Sequence, residues 1–109
     1  MKFLTRQEEM VLLAVWKLGA DAYGVTIANE LTEMTGEKWM LNAVYLPLER
    51  LEQKGYLHSS LSDPSSKRGG RRKRLYKMTR AGIKALIETK KVQESMWQKI
   101  SISYLENDL

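Results

Sequence analysis

Residues 41–84 read LNAVYLPLERLEQKGYLHSSLSDPSSKRGGRRKRLYKMTRAGIK. The opening third has a helical period. Val44, Leu48 and Leu51 fall at i, i+4 and i+7 and form one apolar seam. Asn42, Leu46, Glu49 and Gln53 lie on the opposite side, with Tyr45 and Arg50 on the flanks. Gly55 stands where a left-handed cap ends such a helix. Pro47 removes one backbone hydrogen bond near the helix start and is expected to tilt its first turn. The period then changes to two. Tyr56 to Ser62 alternates as a half-buried strand, with Leu57 and Leu61 predicted inward, and Lys73 to Met78 reads as the return strand. Between them lie the turn formers Asp63-Pro64-Ser65-Ser66 and the pair Gly69-Gly70. Thr79 is spaced to cap a further helix.

Charge is concentrated in the same stretch. Lys67-Arg68-Gly69-Gly70-Arg71-Arg72-Lys73-Arg74 holds six cations in eight residues, and no acid occurs from Pro64 to Ile87. Nine of the 18 lysines and arginines lie in that acid-free segment, so the rest of the chain carries a net −4 against an overall +5. The alternative is a solvated loop, the usual fate of a charge run. Ordered elements on both flanks argue instead for a surface that meets a polyanion.

Working outward, Thr5-Arg6-Gln7-Glu8 has the spacing of a capping box and opens a helix predicted to run to about residue 18, where Gly19 ends it. Met10, Leu13, Ala14, Trp16 and Leu18 form its expected apolar stripe. Asp21-Ala22-Tyr23-Gly24 then opens a second helix, with Asp21 as N-cap, Val25, Ile27, Ala28 and Leu31 inward, and Gly36 at its end. Beyond Thr79 the chain has no proline, and no glycine after Gly82. One helix is therefore expected to run to about Asn107, roughly 40 Å at 1.5 Å per residue. Its stripe of Ile83, Leu86, Ile87, Trp97, Ile100, Tyr104 and Leu105 extends beyond any core that 109 residues supply.

Three helices, a two-stranded hairpin and a long C-terminal helix give a mainly α fold of the winged helix-turn-helix type. Residues 1–79 would form the DNA-binding unit and residues 80–109 the dimerisation helix. In that architecture the third helix enters the major groove and the hairpin lies across the backbone or the minor groove. The absence of cysteine excludes disulfides and thiolate metal sites. No run approaches the roughly 20 apolar residues of a membrane span, so a cytoplasmic location is expected. An enzymatic reading has little behind it. The single histidine, His58, has serines around it but no second ligand nearby, the scattered serines have no nucleophile elbow or base, Gly69-Gly70 lacks the strand-to-helix context of a phosphate loop, and no cofactor is implied.

The sequence resembles the PadR-like transcriptional regulators. The resemblance rests on Ala22-Tyr23-Gly24, on Val44-Tyr45 with Leu48, Arg50-Leu51-Glu52 and Lys54-Gly55, on Arg68 to Tyr76, and on Thr79 with Gly82. It spans about residues 9 to 88. One departure is that Leu46 separates Tyr45 from Pro47, where family members most often place the proline directly after the tyrosine. The resemblance implies a dimeric DNA-binding regulator of the short subgroup, with a single C-terminal helix.

The expected division of labour follows. Lys67, Arg68, Arg71, Arg72 and Lys73 would neutralise phosphates, with Gly69 and Gly70 allowing close approach to the backbone. Asn42 could pair with adenine, Leu46 could meet a thymine methyl and Glu49 could accept from cytosine, while Tyr45 would donate to a phosphate. Arg50 flanks the same helix face. Ile87, Trp97, Ile100 and Tyr104 would meet a second copy, so that the dimer reads a palindromic operator. Trp97 could also floor a site for a small aromatic effector, as the resemblance implies. Two alternatives remain: a winged-helix protein–protein adaptor, and a protein that binds nucleic acid without regard to sequence.

Overall fold

A computed structural model describes residues 3–63 and 72–109. Helix α1 (Arg6–Leu18) opens on the expected capping box. The Thr5 hydroxyl accepts the Glu8 N–H at 3.1 Å, and the Glu8 carboxylate accepts the Thr5 N–H at 2.8 Å. The helix buries Val11, Leu12, Ala14 and Val15. Of the expected stripe, Ala14 is inside, Met10, Leu13 and Leu18 are half-buried, and Trp16 is 63% exposed. The segment from Met10 to Leu18 is apolar around most of its circumference, so packing against two other helices selects the inner face.

A single 3-10 turn (Gly19–Asp21) leads to α2 (Gly24–Thr35), whose N-cap is Tyr23. Asp21, expected as the cap, lies in the turn. Thr26 takes over its role from inside the helix: its hydroxyl donates to the Asp21 carbonyl at 2.6 Å and accepts the Tyr23 N–H at 3.0 Å. Ile27, Ala28 and Leu31 are buried, whereas Val25, also expected inside, is 48% exposed. Gly36, at φ 74°, ends the helix.

Helix α3 (Leu41–Gln53) sets the predicted seam of Val44, Leu48 and Leu51 into the core. Pro47 is buried beside them, and Ala43, whose carbonyl it leaves without the usual donor, is exposed. Gly55 adopts the left-handed φ of 78°. Strands β1 (Leu57–Leu61) and β2 (Arg74–Met78) pair antiparallel, Leu57 opposite Met78 and Leu61 opposite Arg74. Leu57 and Met78 are buried at the base of the hairpin. Leu61, predicted inward, is 52% exposed because it lies at the end of the hairpin remote from that base. The chain before α2 adds to the sheet edge, where the Tyr76 N–H donates to the Ala22 carbonyl at 2.8 Å.

Helix α4 (Arg80–Trp97) is fastened to the turn between α3 and β1. The Thr79 hydroxyl accepts the Gly82 N–H at 3.0 Å and donates to the Gly55 carbonyl at 2.6 Å, while the Thr79 N–H donates to the Tyr56 carbonyl at 3.1 Å. The C-terminal part is not the single helix that the sequence predicts. Lys99 takes a φ of 67°, and a short α5 (Ile102–Glu106) follows. Ile100-Ser101-Ile102-Ser103 alternates β-branched and hydroxyl residues, which hold a helix poorly without tertiary support. Met96, Trp97, Ile100, Ile102, Tyr104 and Leu105 are each at least half exposed. The molecule measures 57 × 29 × 20 Å with a radius of gyration of 16.5 Å. A compact domain of this length would have about 13 Å.

Candidate nucleic-acid interface

The winged fold presents one continuous face built from α3, the start of α2 and the end of the hairpin remote from its buried base. On α3, Asn42, Tyr45, Leu46, Glu49 and Arg50 are all exposed, because the opposite side of the helix carries the core seam. Tyr45 is more constrained than its place in the sequence suggests. A Cβ added to Gly24 would lie 3.4 Å from the Tyr45 ring and hydroxyl and 3.1 Å from the Leu41 side chain. Glycine at the start of α2 therefore lets the first turns of α2 and α3 meet closely, with the Tyr45 hydroxyl beside the α2 N-terminus.

The hairpin joins the same face through Tyr23. The Lys73 ammonium sits 3.9 Å from the centroid of the Tyr23 ring, a cation–π contact. Lys73 is half-buried and Arg72 is exposed beside it. Lys67, Arg68, Gly69, Gly70 and Arg71, the other expected phosphate contacts, lie outside the described residues. Tyr23, Gly24, Tyr45 and Lys73 thus form an unbroken line from wing to third helix.

Arg74 is occupied differently. Its guanidinium donates to the Ser59 hydroxyl at 3.0 Å, and that hydroxyl donates to the Glu52 carboxylate at 2.6 Å. The chain from β2 through β1 to α3 fixes the pitch of the hairpin against the helix. Burial, together with the Glu52 carboxylate, pushes the nearby Tyr76 phenol up. This set is not legible in the sequence, because only strand register brings Ser59 and Arg74 to one face.

A second contact that the sequence does not announce anchors the far end of α3. Glu8, 1% exposed, receives both of its short contacts to Lys54 Nζ, at 2.8 and 2.9 Å, while also closing the α1 cap. Burial pushes the Glu8 carboxyl up. The Lys54 ammonium and the Thr5 N–H outweigh it and hold the group below its ordinary value of 4.5. On α4, Gln93 donates to Glu9 at 3.0 Å, so consecutive glutamates of α1 hold α4 on one side and α3 on the other.

The profile of the transcriptional regulator PadR-like family matches residues 12–88. The chain belongs to that family. Its relatives are transcriptional regulators rather than enzymes, and the chain is a DNA-binding transcriptional regulator of the PadR-like type. Among solved structures, it is similar to a PadR family transcription regulator from Clostridium difficile R20291. That match has 26% identity and a TM-score of 0.64, covering 95% of this chain and 97% of the other. A PadR family regulator from Eggerthella lenta DSM 2243 matches at 25% identity and a TM-score of 0.67, covering 84% of this chain and 77% of the other. RosR of H. salinarum matches at 25% identity and a TM-score of 0.68, covering 96% and 87%. A search of curated proteins gave no match. In this PadR-like chain the family motifs coincide with the joints just described: Ala22-Tyr23-Gly24 at the edge of the sheet and the α2 start, and Thr79 with Gly82 at the α4 cap. Among the described residues, no helix is long and apolar enough to cross a membrane.

The other expected site residues lie along α4 and the segment after it. Ile87, Trp97 and Ile100 are about half exposed and Tyr104 is 76% exposed.

Proposed function

We propose that the chain is a homodimeric repressor that binds a palindromic operator, with residues 1–79 on DNA and residues 80–109 joining the two copies. The observation that carries this reading is the continuous face from Lys73 through Tyr23 and Gly24 to Tyr45, beside an exposed Asn42 and Leu46. Asn42 and Leu46 read bases in the major groove. Tyr45, Arg50, Arg72 and Lys73 contact the backbone, continued by Lys67, Arg68 and Arg71 in the loop, where Gly69 and Gly70 permit close approach. Ile87, Trp97, Ile100 and Tyr104 pack against the partner copy. Their exposure, with the elongated outline of the single chain, supports that role. A twofold axis would place two third helices about 34 Å apart, one turn of DNA. A small aromatic effector held against Trp97 would bias the spacing of the pair.

Retardation of a fragment pool from the source genome, with unspecific competitor, tests the reading. Selective recovery of one promoter region is expected. Binding that ignores sequence, or none at low salt, would favour the sequence-indifferent or adaptor alternatives instead.

A further inference from the structure

Two neighbouring cations tie the hairpin to both helices of the helix-turn-helix unit. Strand alternation turns Lys73 and Arg74 to opposite faces. On one face the Lys73 ammonium lies 3.9 Å from the centroid of the Tyr23 ring, at the start of α2. On the other, the Arg74 guanidinium donates to Ser59 at 3.0 Å, and Ser59 donates at 2.6 Å to Glu52 in the last turn of α3. Both cations stand at the end of the ladder remote from the buried base, where Arg74 pairs with Leu61. Further bonds close that end. The Ser62 N–H donates to the Lys73 carbonyl at 2.7 Å, and the Lys73 N–H donates to the Ser62 hydroxyl at 2.8 Å.

Charge alone gives these residues other roles. Arg74 is the last of the six cations in the run from Lys67, and would be counted with the phosphate contacts. Its guanidinium is instead engaged within the protein. Glu52 is an exposed carboxylate on the helix that carries Asn42 and Leu46, where it repels a polyanion and lowers affinity unless it does something else. Tyr76, the cross-strand partner of Ser59, lies between them. Burial, with Glu52 and then Tyr45 adding to it, pushes its phenol up, so the same set reaches the helix face on which Tyr45 stands.

We propose that Glu52, Ser59 and Arg74 are positioning residues of the DNA interface, which set the angle between wing and third helix so that both engage one duplex together. The proposal rests on the DNA-binding reading above. A hairpin already held at its working angle has less freedom to lose on binding, whereas a loose one must be ordered first.

A DNA duplex of mixed sequence at low salt serves as the probe, with affinity read by retardation. Glu52→Ala separates positioning from simple charge by its sign. Loss of a repelling carboxylate would tighten binding, and Glu52→Gln would tighten it equally. Positioning predicts that Glu52→Ala weakens binding roughly fivefold, the scale of one exposed charge-assisted hydrogen bond. Glu52→Gln, which keeps an acceptor for Ser59, should recover most of that loss. Ser59→Ala changes no charge and should weaken binding to a similar degree, and Ser59→Thr should restore it. In an Arg74→Ala background, Glu52→Ala should have little further effect, because the two act as one unit. Melting points of these variants should stay close to native, since all three residues lie outside the buried core. Unchanged or tighter binding by Glu52→Ala, or losses that simply add, would overturn the proposal. So would an affinity loss matched by loss of folded protein at the assay temperature, which would mark the set as structural only. No binding by the native protein would overturn the DNA-binding reading itself, and the proposal with it.

Discussion

Replacing Gly82 by alanine should lower stability, although alanine is the better helix former. In an open helix position the change would stabilise by about 1 kcal/mol. Here the added Cβ would overlap the Tyr56 carbonyl oxygen and lie 3.0 Å from its carbon, both in backbone that cannot swing aside. Relief requires α4 to move away from the turn between α3 and β1. That motion stretches the 3.1 Å bond from the Thr79 N–H to the same carbonyl and the 2.6 Å bond from the Thr79 hydroxyl to the Gly55 carbonyl. A weakened N-cap costs about 1 kcal/mol and local overpacking about 1–3 kcal/mol. Set against the gain in propensity, the net loss is about 2 kcal/mol. For a domain of this size that corresponds to a melting point lower by roughly 10 °C. Circular dichroism at 222 nm during heating, at one fixed protein concentration, measures it. An unchanged or raised melting point would refute the close approach, because only the carbonyl contact reverses the sign expected of glycine to alanine.

Other outcomes rest on the same geometry. Lys54→Met leaves Glu8 buried without its cation. It should cost about 2 kcal/mol in urea unfolding at pH 7, less than a fully buried pair because Lys54 is partly exposed. Glu8's folded value lies below 4.5, so its contribution is present above that pH and fades as the pH falls through the lowered value. The native protein should therefore lose stability on that limb, and Lys54→Met should not show the same loss. Tyr23→Leu removes the ring under Lys73 and should weaken DNA binding about threefold without changing the preferred sequence, as read by retardation. Ile100→Glu places a charge on the exposed C-terminal face and should shift the sedimentation coefficient toward that of a single chain. An unaltered dimer would remove Ile100 from the interface.

The parts of this fold that are legible in the sequence are those where one periodicity or one capping residue decides the outcome. Val44, Leu48 and Leu51 have only one helical face to share, and Thr5, Gly36, Gly55 and Thr79 end or begin helices by local chemistry alone. Trp16 defeats a reading by periodicity because α1 offers apolar residues in nearly every direction, and only contact with α2 and α3 chooses among them. The break at Lys99 has no glycine or proline to announce it. It arises where a run of weak helix formers extends past the core. At the candidate interface, exposure of Asn42 and Leu46 is readable from the seam opposite them. The Lys73–Tyr23 contact and the Glu52–Ser59–Arg74 chain require the strand register, and the Glu8–Lys54 pair spans 46 positions.

The division between a gripping hairpin and a reading helix has a direct test in the ratio of operator to random-DNA affinity, measured across salt for Asn42→Ala and Arg72→Ala. Arg72→Ala should weaken both DNAs alike and reduce the log–log salt slope by about 0.9 for each phosphate left unneutralised, with the ratio intact. Asn42→Ala should lower operator affinity by about 1–3 kcal/mol, leave random DNA unchanged and collapse the ratio. The reverse pattern, with the ratio set by Arg72 and untouched by Asn42, would contradict the account.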